Sequence, residues 1–204
     1  MLITGDLVQD DSKEAYDRFR ELLLPLKLRL HCVPGNHDVR DLMRPICSRP
    51  PFSYCARESI GEWLVVGLDS CITGDAGGEI SDEEFARLDT IVEASSAPNI
   101  LVNLHHPPVP MGSAWLDTVT LRNGEQFLER LASYGRVRLA IFGHVHQPYD
   151  AEHSGIRVIG TPSTCRQFRP HSDEFDVDEK PPAYRRLTLN QDGSFATELI
   201  WVDG

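Results

Sequence analysis

Four short apolar runs in this chain end in clusters of polar, ligand-capable residues, and that pattern limits the folds open to it. Met1-Leu2-Ile3-Thr4 runs into Gly5-Asp6, and Arg29-Leu30-His31-Cys32-Val33 into Pro34-Gly35-Asn36-His37-Asp38. Asn99 to Leu104 leads to His105-His106-Pro107-Pro108, and Val137 to Phe142 to Gly143-His144-Val145-His146. Short apolar runs bounded by glycine, proline and polar residues read as buried strands. In open α/β sheets, ligand sites form at the carboxyl ends of strands, so the four clusters are expected to converge. Any one cluster alone also reads as a decorated turn, because Asn, Asp and Gly are the common turn formers.

The intervening segments supply helices. Asp11-Ser12 offers an N-cap to a helix carrying Tyr16, Phe19, Leu22 and Leu23, which Pro25 stops. Ser81-Asp82-Glu83-Glu84 forms a capping box ahead of an amphipathic helix with Phe85, Leu88, Ile91 and Val92 on one face. A further helix spans roughly residues 124 to 134. Residues 40 to 60, interrupted by Pro45, Pro50 and Pro51, read as irregular, and Glu62 to Asp69 as a strand. Ile156 to Ile159 reads as a strand and residues 165 to 182 as a polar loop. Tyr184 to Leu189 and Phe195 to Val202 form a hairpin across Asn190-Gln191-Asp192-Gly193. Helices alternating with strands, then consecutive strands, predict one α/β layered sandwich over residues 1 to 204.

Composition excludes several classes of function. With 41 % hydrophobic and 25 % charged residues the chain is ordinary globular material, and no apolar run approaches the roughly 20 residues that span a bilayer. A formal charge of -11 argues against a nucleic-acid partner, since a polyanion needs a basic surface. The five scattered cysteines (Cys32, Cys47, Cys55, Cys71, Cys165) show no zinc-ribbon spacing. They predict reduced packing thiols in a cytoplasmic protein. The first residues lack the basic start of a signal peptide.

Four of the eight histidines sit in the two strand-end clusters His105-His106 and His144-x-His146, which random loop placement would rarely produce. Imidazole, carboxylate and amide donors without thiolate suit iron, manganese or zinc. The Asp6 carboxylate has oxygens enough to bridge two cations. Asn36 adds a neutral oxygen donor and leaves net positive charge for a phosphate. Two metals about 3.5–4 Å apart would polarise a phosphoryl oxygen and activate a water between them. His37, beside Asn36 in sequence, is free to hydrogen-bond the phosphate or protonate a leaving alkoxide. Asp10 and Asp38 are candidates to orient imidazoles or loops. His106 reads equally as a supporting or a structural residue, and His31, His153 and His171 as surface or structural ones.

Gly5-Asp6-Leu7-Val8-Gln9-Asp10, Gly35-Asn36-His37-Asp38, His105-His106-Pro107-Pro108 and Gly143-His144-Val145-His146 resemble, in order, the motifs of the calcineurin-like metallophosphoesterases. His105 to Asp117 and Gly160 to Phe168 resemble more narrowly the class III cyclic-nucleotide phosphodiesterases of the bacterial 3′,5′-cyclic-AMP branch. The resemblance implies an αββα sandwich around a dinuclear centre of iron and manganese, with zinc as the other option. It implies Asp6 as the bridging ligand, Asn36, His105 and His144 on one metal, and His146 on the other. Asn36, His37 and His146 would contact the phosphate, and His37 would protonate the leaving group.

The reaction implied is hydrolysis of a small phosphodiester, 3′,5′-cyclic AMP to 5′-AMP. A glycerophosphodiester or phosphomonoester substrate, or an inactive fold used as a binding module, are the competing readings, and a homodimer is among the assemblies allowed. The family pattern also carries an Asp-x-His motif upstream of Gly5-Asp6 that these 204 residues do not contain. The expectation is therefore an N-terminally truncated domain, arising from a late start at an internal Met in preference to a truncated form; were the short form the real one, weak or absent activity and poor stability are expected. The loop of residues 107 to 118, with Met111 and Trp115, and the segment 161 to 169 are expected to line the substrate pocket. Trp115 is compatible with stacking on a purine or with a place in the core.

Overall fold

The computed structural model describes residues 1 to 202. Its elements run β1 (Leu2–Ile3), α1 (Lys13–Leu23), β2 (Leu30–Cys32), α2 (Arg40–Cys47), β3 (Phe52–Tyr54), β4 (Arg57–Ile60), β5 (Trp63–Gly67) and α3 (Asp82–Glu93). They continue through β6 (Asn99–Asn103), α4 (Ala114–Asp117), α5 (Gly124–Ser133), β7 (Val137–Phe142), β8 (Tyr149–His153) and β9 (Ile156–Gly160). Last come β10 (Gln167–Phe168), β11 (Val177–Asp178), β12 (Ala183–Leu189) and β13 (Phe195–Trp201).

The larger sheet has the order β4-β5-β6-β7-β9-β8, parallel from β5 to β9 with an antiparallel strand at each edge. Its central strands are buried on both faces, and their side chains alternate between two cores as the strand period requires. Leu64, Val66, Ile100, Val102, Ala140 and Phe142 pack with Phe85, Leu88, Phe127 and Leu131 of α3 and α5. Trp63, Val65, Leu101, Leu139, Ile141 and Ile159 meet Leu187, Leu189 and Phe195 of the β12-β13 hairpin, together with Leu2. A parallel sheet β1-β2-β3 carries α1 and α2 on its outer side, through Tyr16, Leu30, Met43, Ile46 and Phe52. The layers therefore read helix, sheet, sheet, helix, as the sequence predicts.

The predicted caps form. Ser12 accepts the amide of Ala15, and Ser81 that of Glu84. Glu84 does not close its capping box, because its carboxylate takes the Asp69 amide at 2.8 Å and pairs with Arg87 instead. Residues 40 to 60 are not irregular: they hold α2, β3 and β4. Pro45 lies inside α2, and proline in that position removes the usual sequence signature of a helix. The predicted loop of residues 165 to 182 contains the two-residue pair β10-β11, and the edge strand β8 is an addition. All five cysteines are free, with Cys32 and Cys47 in the core as expected. Among the described residues no helix is long and apolar enough to cross a membrane. The predicted domain of residues 1 to 204 extends to 203 and 204, which lie outside the described residues.

Candidate metal centre

Each predicted cluster follows a parallel strand. Gly5-Asp6 follows β1 and Asn36-His37 follows β2 on one sheet; His105 follows β6 and His144 follows β7 on the other. The two sheets thus contribute two donors each. Backbone bonds hold the loops together: Val33 N–H reaches Ile3 O at 3.1 Å, and Gly143 N–H reaches His105 O at 3.1 Å.

Four side chains meet. His105 Nε2 lies 3.1 Å from Asn36 Oδ1, 3.4 Å from Asp6 Oδ2 and 3.1 Å from His144 Nδ1, while His144 Nδ1 is 3.0 Å from Asn36 Oδ1. His105 Nδ1 is 2.6 Å from Thr4 O, an acceptor only, so that nitrogen carries the proton and donates. In the neutral ring, Nε2 then turns its lone pair toward a carboxylate oxygen, an amide oxygen and a second imidazole. Proton sharing satisfies at most one of these contacts, whereas a cation between them satisfies all. His144 Nε2 is a further buried atom without a hydrogen-bond partner among the described residues. The residues present therefore fit a divalent metal ion.

The electrostatics keep Asp6, His144 and His146 in ligating form, whereas His105, although burial opposes it, is raised by the Asp6 carboxylate beside it, and a cation between them would displace that proton. Burial works to raise the Asp6 carboxyl, but His105 and the backbone N–H of His37, 3.0 Å away, hold it well below the usual carboxylate range. His144 is pushed down to about 3, first by burial and then by His105 beside it, and burial likewise lowers His146. Both rings stay neutral with a lone pair to offer.

The approach is close enough to dictate glycine. A Cβ on Gly5 would lie 2.3 Å from His105 Nδ1, and one on Gly35 would lie 2.1 Å from Asp6 Oδ1. Asp6, His144 and His146 all adopt positive φ, at 54°, 64° and 47°. Non-glycine residues in that region cost about 1–3 kcal/mol each and gather at functional sites.

The other predicted residues lie at the rim. His37 is exposed, and its Nδ1 is 2.9 Å from the Gln9 side-chain amide. The His146 ring stacks on Phe168 at 4.1 Å and 7°, with Nδ1 donating to Arg166 O at 2.9 Å. Its Nε2 is thereby left as the acceptor. His106 is fully buried between Ser70 Oγ (2.8 Å) and Ala76 O (3.2 Å), so both ring nitrogens are engaged although it touches the cluster. His31 is likewise engaged, with Ser53 and Glu58.

Asp38 performs the loop-orienting task anticipated for it: its carboxylate accepts the amides of Leu7 and Gly35 and the hydroxyl of Tyr16 at 3.0 Å. Asp10 does not, because it is exposed and bonds Ser12 and Arg18. Tyr16, Thr4 and Gln9 were missed. Thr4 acts through its carbonyl, which leaves no sequence signature, and Tyr16 reads as one more apolar helix position. The Tyr16 hydroxyl also accepts Val39 N–H at 2.8 Å, tying α1 to the Asn36-His37 loop. Tyr16→Phe is expected to lower the unfolding free energy by about 1–3 kcal/mol, read by urea titration, because it orphans buried groups. An unshifted midpoint would show the hydroxyl to be dispensable.

A profile of the calcineurin-like phosphoesterase family matches residues 1–148. The chain is 38 % identical over 200 residues to the 3′,5′-cyclic adenosine monophosphate phosphodiesterase CpdA of Vibrio vulnificus, covering 98 % of this chain and 73 % of that protein. It is also 38 % identical over 203 residues to the Pseudomonas aeruginosa protein of the same name, covering 100 % and 74 %. A dimetal phosphatase from Danio rerio superposes with a TM-score of 0.63 at 18 % identity, over 91 % of this chain and 78 % of that one. At that identity the superposition speaks for the fold alone.

Proposed function

This chain belongs to the calcineurin-like phosphoesterase family, and from that premise we propose that it hydrolyses 3′,5′-cyclic AMP to 5′-AMP at a metal centre. The observation that carries the reading is the meeting of Asp6, Asn36, His105 and His144 around unshared lone pairs. In this reading Asp6 would serve both of two divalent metals, Asn36, His105 and His144 would hold one of them, and His146 would hold the other. The oxygen and nitrogen donor set favours iron and manganese, with zinc also accommodated. When bound, the pair supplies Lewis-acid polarisation of a phosphoryl oxygen and a water activated at neutral pH.

The chain's own groups do the rest. The Asn36 side chain, its Oδ1 turned to the histidines, leaves Nδ2 to donate to a phosphate oxygen. The Gln9 amide donates to His37 Nδ1 and leaves Nε2–H to hydrogen-bond the phosphate; protonating the departing 3′ oxygen calls for the imidazolium, in which Gln9 turns its amide oxygen to Nδ1 instead. Phe168 and Arg166 O fix the His146 ring so that Nε2 faces the site. Five free thiols suit a cytoplasmic setting.

Purified protein supplemented with manganese is expected to convert cyclic AMP to AMP, and a chelator to stop it. His37→Ala is expected to lower kcat by about 10²–10⁴-fold with metal content retained. Turnover that survives metal removal, or a His37→Ala variant as fast as its parent, would sink the reading.

A further inference from the structure

Beyond His146 the site continues into a cluster of aromatic rings. Phe168, stacked beneath His146, meets Trp115 edge-on at 5.2 Å and Phe175 at 5.3 Å, and Trp115 meets Phe175 at 5.2 Å. The sequence is equally compatible with Trp115 stacking on a purine or lying in the core, and Trp115 is half-buried against the core of α3 and α5 and engages both phenyl rings. Phe175 is different: it is 61 % exposed. Leaving a phenylalanine in water forgoes much of the stabilisation that burying it would bring.

Phe175 is also held in place. The β10-β11 pairing and the Arg169 N–H to Asp176 O bond at 2.9 Å close a hairpin just beside it. Ser172 N–H reaches Ser113 Oγ at 3.3 Å, and Asp117 accepts the amides of Met111 and Gly112, which braces the loop the hairpin rests on. On the His37 side the site opens into a cleft of about 550 Å³ between Gly35-Asp38 and Cys71-Gly74. Among the described residues no Phe, Tyr or Trp lines that cleft.

We infer that Phe175, supported edge-on by Phe168 and Trp115, is the stacking platform for the nucleobase of the substrate, and that it gives the site a preference for purine nucleotides over phosphates without a base. The inference rests on the phosphate site proposed above. A phosphate beside His146 brings an attached base over the adjoining rings, and base-on-aromatic stacking is the chemistry those rings offer.

The test compares dissociation constants of AMP and ribose 5-phosphate by calorimetry on the manganese-supplemented protein. The parent is expected to bind AMP more tightly. Phe175→Ala should lower that preference roughly tenfold, Phe175→Trp should retain it, and AMP should outcompete CMP in the parent. An unchanged preference in Phe175→Ala, AMP binding no tighter than ribose 5-phosphate, or loss of preference in Ile72→Ala from the opposite cleft instead, would overturn the platform. Absence of cyclic AMP turnover with the preference intact would remove the functional reading and leave the platform standing.

Discussion

A Gly35→Ala variant is expected to lose at least about 100-fold in kcat/KM toward cyclic AMP, with a matching fall in bound metal. Glycine-to-alanine changes stabilise a protein by about 0.4–1 kcal/mol when the backbone and surroundings tolerate them. Here they do not: the new Cβ would fall 2.1 Å from Asp6 Oδ1 and 2.4 Å from Asp6 N. Both neighbours are fixed, since the Asp6 carboxylate is held by His37 N–H and the Asp38 carboxylate ties Gly35 N–H to the Leu7 amide. The methyl group must therefore push the Asp6 loop away from Asn36, and displacement by about 1 Å suffices for a 100-fold loss. Gly61→Ala is the comparison, because among the described residues nothing lies within 4 Å of its Cβ and only the positive φ is penalised. Metal analysis and steady-state kinetics on both variants decide the matter; a Gly35→Ala enzyme within threefold of its parent would show that the loops separate freely.

The largest expected effect on stability belongs to Trp63→Ala, at about 3–5 kcal/mol, or a melting temperature lower by roughly 6–20 °C for a chain of this size. Trp63 is fully buried in the layer between the sheets, meets Phe195 edge-on at 6.5 Å, and donates its indole N–H to Asn190 O at 2.7 Å. Asn190 stands in the turn of the β12-β13 hairpin, so one side chain anchors that hairpin to the central sheet. Truncation opens a cavity and frees the hairpin together. Thermal unfolding followed by circular dichroism checks it against Leu22→Ala, whose side chain is 76 % exposed and whose loss should fall within about 0.5 kcal/mol. Equal melting temperatures for the two variants would mean that the hairpin packs loosely.

Much of this was legible in the sequence for a simple reason. The buried strands are mostly apolar, the helices α1, α3 and α5 repeat at helical spacing, and Ser12 and Ser81 cap α1 and α3, so local chemistry and tertiary burial agree. The donor quartet was legible because each member sits directly after such a strand. What escaped was set by tertiary contact: α2 forms around an internal proline because Met43, Ile46 and Cys47 are buried against β2 and β3. Thr4 contributes a carbonyl, and Tyr16 a hydroxyl whose partners lie 22 and 23 positions away. Phe175 sits in a polar stretch where nothing local distinguishes a ligand platform from a loop residue.

The left-handed backbone at Asp6, His144 and His146 has a consequence for engineering. Three donors in conformations that cost about 1–3 kcal/mol each mean that the centre draws down stability the rest of the fold provides. Selection for thermal resistance without selection for turnover would therefore find its gains at these three positions first, by admitting glycine or asparagine. Stabilised descendants of this chain are best sought elsewhere, with those three positions held invariant.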